Sequence, residues 1–389
     1  MGNHNGFNIQ TLSASVNLVA NADTWIEGKA IQQLQKTAEL EGVVKAAGMP
    51  DLHPGRGYPI GAAFLTQDKI YPALIGNDIG CGMALWATDI KVRKVNLDKF
   101  EKRLASIDEP LASDWQDFIF ERYQEKMLSP NGFERALGTI GGGNHFAELQ
   151  QLEQVIDEAL VGELGIDQNH LVLLVHSGSR GLGERVLRAH VDRFGHAGLD
   201  VASDEFKQYI RQHDEAIKFA ELNRELIAMR MLENLHAKGS QVLDVNHNLV
   251  KEKTFANKSH WIHRKGATPA DCGLVMIPGS RGDYSYLVKP NADPEVNFES
   301  IFSLAHGAGR KWMRTECKDR LSKRYRQSDL EKTVLGSRVI CKNKALIFEE
   351  APEAYKSIDS VVEAMLDAEL IETIARFKPV LTYKTQGGC

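Results

Sequence analysis

The sequence has no long apolar run and no large excess of charge of either sign. Its longest apolar runs, such as residues 171–175, are far shorter than the roughly 20 residues that a membrane-spanning helix needs. The net charge of −5 at pH 7 excludes a globally basic protein that coats nucleic acid. Any contact with RNA or DNA must therefore use a local basic patch, and no membrane partner is expected.

Cysteine is also scarce. The five cysteines, Cys81, Cys272, Cys317, Cys341 and Cys389, are odd in number and widely spaced. This pattern does not fit a disulfide framework and favours a reducing compartment. The first six residues lack the basic segment and apolar stretch of a signal peptide. We therefore predict a cytoplasmic protein.

Hydrophobic periodicity and turn residues predict a mixture of helices and strands. Predicted helices cover residues 24–39 (with Asp23 or, alternatively, Asn21 as N-cap), 97–130, 203–238 and 358–376. Predicted strands cover residues 14–20, 43–47, 59–65, 71–75 and 171–175, with another that begins at Val275, and residues 48–57 form a turn-rich segment. The helix over 203–238 is rather polar, so we expect its charged face to be solvated. No repeat or linker divides the chain, which predicts a single catalytic domain over residues 1–389.

Five side chains with metal-binding atoms lie in unusual polar or glycine-rich settings. They are Asp78, Cys81, His145, His176 and His247. Taken alone, each setting also fits a structural turn, a capped strand end or a buried core histidine. Together they offer one carboxylate, one thiolate and three imidazoles, enough for two adjacent metal ions if one ligand bridges. The mixed donor set favours Mn²⁺, Zn²⁺ or Co²⁺ over Mg²⁺ or Ca²⁺, and no spacing matches a zinc finger.

A sixth candidate, His306, precedes a small-residue segment, Gly307, Ala308 and Gly309, which is followed by Arg310. We expect His306 at the start of a basic helix that runs to about Arg326, where free N–H groups would bind phosphate and Arg310 would clamp it. His306 is compatible with three roles: a metal ligand, a general acid, or a nucleophile that accepts a phosphoryl or nucleotidyl group. The basic run over 307–326 is either a solvated face or a contact surface for nucleotide phosphates or a nucleic-acid backbone.

In this order, these motifs resemble the RtcB family of GTP-dependent RNA ligases, over nearly the whole chain. The matching segments are residues 49–53, 78–82, 143–148, 176–181, 247–248, 264–267, 278–280 and 306–310. The resemblance implies an α+β fold, with mixed β-sheets and surrounding helices around a central site for two Mn²⁺ ions. It implies that the five candidate ligands hold the manganese, with Cys81 bridging, and that GTP guanylylates His306.

The resemblance also implies which residues hold the guanine nucleotide. They are Asn144, Glu148, Ser280, Ser285, Tyr355 and Lys384, together with His306, Gly307, Ala308 and Gly309. We predict RNA contacts at Arg180, Arg310, Arg314 and Lys318.

The implied reaction joins an RNA 3′-phosphate or 2′,3′-cyclic phosphate end to a 5′-hydroxyl end, in tRNA splicing or RNA repair. The cyclic phosphate is first hydrolysed; GMP then moves from the histidine to the 3′-phosphate, and the 5′-hydroxyl displaces it. A monomer and an accessory activating protein are both compatible with the resemblance. The competing hypotheses are a metal-dependent RNA-end phosphoesterase that never ligates and a non-enzymatic RNA-binding factor.

Three features depart from the family pattern. Arg281 stands where the family usually has Met after Pro-Gly-Ser, and Lys384 is followed by five further residues where the family commonly ends in Lys-Gly. The middle of the chain is also shorter than in many members. These departures favour a divergent branch that repairs damaged RNA, and they leave the metal and guanylylation residues intact.

Overall fold

The structure is a computed structural model that describes residues 9–105, 107–255 and 257–385. In this part of the chain the strands are β1 (Ile9–Ser13), β2 (Val16–Val19), β3 (Val43–His53), β4 (Ile60–Thr66), β5 (Lys69–Ile70), β6 (Gly82–Lys91), β7 (Phe146–Val155), β8 (His170–Ser177), β9 (Leu199–Asp200), β10 (Gly239–Asn246), β11 (Asn248–Phe255), β12 (Lys258–Lys265), β13 (Ala267–Pro269), β14 (Val275–Pro278), β15 (Ser285–Pro290), β16 (Ser303–Ala305), β17 (Arg338–Cys341) and β18 (Ile371–Thr385).

The α-helices of the same residues are α1 (Gly28–Ala38), α2 (Leu97–Arg103), α3 (Gln116–Glu125), α4 (Glu158–Glu163), α5 (Gly181–Phe194), α6 (Asp204–Leu235), α7 (Pro294–Glu299), α8 (Arg314–Leu321), α9 (Leu346–Glu349) and α10 (Ile358–Asp367). None of the helices in the described ranges is both long and apolar enough to cross a membrane. The four cysteines within these ranges are free thiols, and Cys389 lies outside the described residues.

Two large mixed sheets organise the molecule, which confirms the α+β class. One has the strand order β1-β2-β3-β4-β12-β11, and the other has the order β10-β6-β8-β7-β18-β15-β14 with β17 paired to β18. Two small pairs, β13 with β16 and β5 with β9, complete the pattern. Most neighbours are antiparallel, whereas β2–β3 and β17–β18 are parallel.

The eight-stranded sheet is buried on both faces, which explains the continuous apolar run in β8. Leu171, Leu173 and Val175 of β8 belong to the same core cluster as Ile227 and Met231 of α6. The intervening β8 residues pack on the opposite face, among side chains of β14, β15 and β18: Val172, Leu174, Met276, Leu287 and Phe377. A strand covered on both sides shows no polar alternation, so residues 171–175 were correctly predicted as a buried strand.

The predicted extent of helix α6 is confirmed, but the prediction that its polar residues are solvated is not. The side chain of Ser203 accepts a hydrogen bond from Phe206 N–H and caps its start. Its polar residues suggested a solvated face, but several of them are buried, including His213, Asn223 and Arg224. These polar groups are paired inside the protein, a point that the periodicity of the sequence does not reveal.

Other predicted boundaries near the N-terminal sheet were wrong. Helix α1 begins at Gly28 after Glu27, not after Asp23. Strand β3 extends through residues 48–53 of the segment predicted as turns, and its pairing with β4 is interrupted between Gly48 and His53. Pro50, which has no N–H to donate, fits into that gap. Residues 72–74 form a 3₁₀ turn rather than a strand, with Pro72 at its first position.

Three long predicted helices are also shorter than expected. Residues 97–130 contain α2 and α3 with non-helical chain between them. The basic helix predicted over 307–326 is α8 alone, so it begins eight residues after His306. The last predicted helix ends with α10, and residues 371–376 belong to β18. Glu369, with a φ of 55°, reverses the chain between these two elements.

Candidate active site

Four neighbouring strands of the eight-stranded sheet bring the candidate metal ligands to one edge. Cys81 directly precedes β6, His145 directly precedes β7, His176 lies near the end of β8, and His247 directly follows β10. Because these neighbours are antiparallel, the starts of β6 and β7 lie beside the ends of β8 and β10. The structure therefore gathers four side chains that are far apart in sequence.

Asp78 joins these four, and we call Asp78, Cys81, His145, His176 and His247 the five-donor cluster. Cys81 Sγ lies 3.3 Å from His145 Nε2 and 3.2 Å from His176 Nε2. His145 Nε2 lies 2.7 Å from Asp78 Oδ2. Donor atoms of Cys81, His176 and His247 lie within 4.8 Å of one another, as do those of Asp78, Cys81 and His145. Cys81 is the residue common to both groups.

The protonation pattern of this cluster fits bound cations. His145 Nδ1 donates to the carbonyl of Ile140 at 3.1 Å, and His176 Nδ1 donates to the carbonyl of Asn144 at 3.2 Å. In a neutral ring this leaves both Nε2 atoms as acceptors. The single thiol proton of Cys81 cannot satisfy both of them. Burial also holds the pKa of His176 well below its usual value, and the neutral imidazole is the form that binds metal.

Two further observations agree with this fit. His247 is buried and its Nδ1 has no hydrogen-bond partner within the described residues. Burial raises the pKa of the Cys81 thiol well above its ordinary value, and the charge of Asp78 raises it further. A thiolate in such a place needs a cation beside it. The residues present therefore suit divalent metal ions with mixed nitrogen, sulfur and oxygen ligands.

His306 lies next to this cluster, with its ring centroid 4.9 Å from that of His247. It follows β16 in an irregular segment, so the expected position at a helix start was wrong. Asp51 of β3 holds it instead. His306 Nδ1 donates to Asp51 Oδ2 at 2.6 Å, and the His306 backbone N–H lies 3.2 Å from the same oxygen. Asp51 is fully buried, and sequence reasoning assigned it no role although it lies in the matching segment 49–53.

A cleft of about 1770 Å³ contains His306 and the five-donor cluster. Most residues predicted to hold the nucleotide also line it: Asn144, Ser280, Gly307, Ala308, Gly309, Tyr355 and Lys384. Lys384 Nζ donates to the carbonyl of Gly143 at 2.7 Å and lies 3.8 Å from Glu350 Oε2. Burial lowers the pKa of Lys384 to about 8.

Glu148 and Ser285 lie outside this lining and are joined to each other by Gln150. Gln150 Nε2 donates to Glu148 Oε1 at 2.7 Å and to Ser285 Oγ at 2.8 Å. The hydroxyl of Thr382 donates to the other oxygen of Glu148. Burial raises the pKa of Glu148 to about 7. The two predicted nucleotide residues thus form a buried polar network behind the cleft wall.

The four predicted RNA contacts fall into different settings. Arg180 and Arg314 line the cleft, whereas Lys318 is exposed on α8 outside the lining. Arg310 also lines the cleft, but its guanidinium donates to Glu350 at 3.1 Å, to the Tyr355 hydroxyl at 2.9 Å and to the Glu349 carbonyl at 2.7 Å. These bonds already hold Arg310 within the protein.

Arg281, the residue that departs from the family pattern, has a structural environment of its own. Its guanidinium donates to three backbone carbonyls, those of Glu350, Leu330 and Ile347, at 2.9, 2.7 and 2.6 Å. The side chain is nine-tenths or more buried. Arg281 therefore ties the segments after α8 to the cleft wall.

The family model described as tRNA-splicing ligase RtcB matches residues 33–129 and 121–385. The chain belongs to the RtcB family. It is 55% identical, over 98% of both chains, to RNA-splicing ligase RtcB2 of Escherichia coli.

More distant RtcB proteins match as well. RNA-splicing ligase RtcB1 of Escherichia coli is 30% identical, over 92% of this chain and 95% of its own length. The tRNA-splicing ligase RtcB of Nanoarchaeum equitans is 29% identical over 92% of both chains. The family predicted from the motifs is thereby confirmed.

Proposed function

We propose that this chain is a GTP-dependent RNA ligase that joins a 3′-phosphate or 2′,3′-cyclic phosphate end to a 5′-hydroxyl end. The observation that carries the proposal is His306, oriented by Asp51 and adjacent to the five-donor cluster. A phosphoesterase would need the cluster but no nucleophile oriented in this way. The names of its relatives, RNA-splicing and tRNA-splicing ligases, agree with this choice.

The five-donor cluster would hold two Mn²⁺ ions, with Cys81 as the bridging ligand. The position of Cys81 in both donor groups supports that role. When bound, the ions would neutralise negative charge on phosphate oxygens in the cleft. Carbonyl partners fix the ring orientation of His145 and His176, so the protein supplies the ligand geometry before metal arrives.

His306 would act as the nucleophile. Its Nδ1 proton is held by Asp51, which leaves the lone pair on Nε2 for attack on the α-phosphorus of GTP. An N–P bond forms, the bond from that phosphorus to the bridging oxygen breaks, and pyrophosphate leaves. The buried carboxylate of Asp51 stabilises the positive charge that the ring gains. GMP then passes to the RNA 3′-phosphate, and a 5′-hydroxyl oxygen displaces it to seal the strand.

The walls of the cleft would select the nucleotide and the RNA. The proposed nucleotide contacts within the lining are Asn144, Ser280, Tyr355 and Lys384. Glu148 and Ser285 would support nucleotide binding from the buried polar network behind the wall. Arg180 and Arg314 supply positive charge for the RNA backbone. We place the enzyme in the cytoplasm, with RNA repair or tRNA splicing as its role.

The decisive experiment is incubation with Mn²⁺ and GTP labelled at the α-phosphate, followed by a denaturing gel and peptide mapping. A labelled band that maps to His306 is expected, and His306→Ala should abolish it while retaining metal. His196→Ala, which removes an exposed histidine outside the cleft lining, is the matched control. No band, together with phosphate release from RNA ends, would replace the ligase with the phosphoesterase.

A second substrate separates the steps of the reaction. RNA supplied with a guanylylated 3′ end needs no histidine nucleophile, so His306→Ala should still join it to a 5′-hydroxyl end. If the adduct instead mapped to a lysine such as Lys384, the assignment of His306 would be overturned.

A further inference from the structure

Two adjacent residues of α6, Asn223 and Arg224, reach the backbone segments that carry the candidate metal ligands. Both side chains are fully buried, and neither was singled out by the sequence patterns. They lie on the helix that covers one face of the eight-stranded sheet, behind the edge where the five-donor cluster forms. Their contacts give them a specific relationship to that cluster.

Arg224 contacts the immediate sequence neighbours of three members of the cluster. Its Nη1 donates to the carbonyl of Gly80, next to Cys81, at 2.7 Å and to the carbonyl of Ser177, next to His176, at 2.9 Å. Its Nη2 donates to Oδ1 of Asn246, next to His247, at 2.7 Å. One planar guanidinium thus links three chain segments that carry metal-binding side chains.

Asn223 extends the same arrangement to the loop that leads to His145. Its Oδ1 accepts the backbone N–H of Gly138 at 2.9 Å, and its Nδ2 lies 3.1 Å from Ser177 Oγ. Ser177 Oγ in turn donates to the carbonyl of Ile140 at 2.8 Å, the same oxygen that accepts the proton of His145 Nδ1. A continuous hydrogen-bonded chain therefore runs from Asn223 to the His145 ring.

The buried charge of Arg224 is balanced where it lies. Asp244 Oδ1 of β10 lies 2.6 Å from its Nη2 and accepts a hydrogen bond from its Nε at 2.8 Å. A guanidinium offers five N–H donors in one rigid plane, whereas an ammonium offers three at a single point. Lysine at this position would keep the charge but could not reach Gly80, Ser177, Asp244 and Asn246 together.

We propose that Arg224, assisted by Asn223, is a positioning residue that sets the separations of Cys81, His176 and His247 before metal binds. The inference rests on the proposed function in one respect, because it takes the five-donor cluster as a metal site. It adds that the affinity and geometry of that site depend on residues that touch neither metal nor substrate. Outer groups that orient metal ligands typically change metal affinity by about 10- to 100-fold when they are removed.

The test compares Arg224→Lys with the unmodified protein by titration with Co²⁺. We expect about 10- to 100-fold weaker binding and a shifted or weakened thiolate-to-cobalt absorption band, although Cys81 is intact. The double variant Arg224→Gln with Asp244→Asn removes the buried pair without leaving one charge alone, and it should behave similarly. Arg264→Lys is the matched control, because Arg264 is a fully buried arginine whose guanidinium donates to Ser303 Oγ and to the Phe302 carbonyl, outside the segments that carry the five-donor cluster.

Unchanged affinity and an unchanged band in Arg224→Lys would overturn the inference while leaving the proposed ligase intact. A control that loses cobalt as strongly as Arg224→Lys would also overturn it, since the effect would then be general to buried arginines. If circular dichroism showed Arg224→Lys to be unfolded, Asn246→Ala would decide, because among the contacts of Arg224 it removes only the one beside His247, together with the bond from Asn246 to Glu221. Failure of the unmodified protein to bind Co²⁺ would instead reject the metal site itself.

Discussion

His306 Nδ1 donates to Asp51 Oδ2 across 2.6 Å, joining a loop after β16 to the buried strand β3. The side chain of Asp51 is fully buried, and the same oxygen also accepts the backbone N–H of His306. These contacts hold the carboxylate in one orientation. The pair fixes both the ring orientation and the tautomer of the candidate nucleophile. Catalytic carboxylate–histidine pairs on unrelated folds use the same arrangement.

Asp51→Asn should therefore impair the nucleophile without disturbing the metal ligands. An amide can present its N–H to the ring and stabilise the wrong tautomer, so we expect labelling by GTP to slow by about 100-fold or more. Metal content should stay unchanged, since the metal-binding groups do not include Asp51. Full labelling in Asp51→Asn would show that another group orients His306.

Cys81→Ala should weaken both metal positions together, because Cys81 belongs to both donor groups. We expect loss of most bound manganese, measured by elemental analysis after dialysis, and loss of both labelling and RNA joining. Cys272→Ala removes an exposed thiol and serves as the control. Retention of full metal content by Cys81→Ala would rule out the bridging role.

Arg314 and Lys318 were equivalent in the sequence, but the structure separates them. Arg314 lines the cleft and its Nε lies 3.5 Å from Glu350 Oε1, whereas Lys318 lies outside the lining. Arg314→Gln should weaken RNA binding, reduce its salt slope by about 1, and also slow labelling through Glu350, which contacts Tyr355 and Lys384. Lys318→Gln should leave labelling unchanged, and equal effects of the two variants would contradict this assignment.

Glu148 predicts a pH dependence of stability. Its folded-state pKa of about 7 lies above the usual 4.5 because of burial, so folding favours the protonated form. Its stabilising contribution is complete below about pH 4.5 and is lost as the pH rises through 7, a change of about 3 kcal/mol. In urea unfolding of metal-free protein, the free energy of unfolding of Glu148→Gln should rise relative to that of the unmodified protein between pH 5 and pH 8. Glu158→Gln, which removes an exposed acid, is the control, and its free energy of unfolding should change with pH as that of the unmodified protein does.

The sequence predicted those parts of the fold where one local signal dominates. The apolar run of β8 was recognisable because this strand is covered on both faces. The long periodic pattern of α6 was recognisable because a helix satisfies its backbone hydrogen bonds internally. The five-donor cluster was assembled from glycine-rich segments and family resemblance, and the structure brings its members together. Each of these features can be predicted from the residue types at its own positions.

The remaining features depend on contacts between distant segments. Residues 48–57 were predicted as turns because they are rich in glycine and proline, yet residues 48–53 belong to a strand whose pairing with β4 is interrupted there. The polar residues of α6 were predicted to form a solvated face, yet Arg224 has its partners in β10, at the end of β8 and in the loop before β6. Asp51 lies far from His306 along the chain. No periodicity links such pairs, so only the folded structure identifies them.

Strand β18 has a consequence for the synthesis of the protein. It is the last strand of the described chain, yet it lies between β7 and β15 inside the eight-stranded sheet and carries Lys384. A growing chain that has been made only as far as α10 leaves β7, β15 and β17 without this neighbour, and its cleft lacks Lys384. Such unpaired strand edges attract chaperones or other chains. The eight-stranded sheet is therefore completed only after β18 has been made, and partly made chains are prone to aggregation until then.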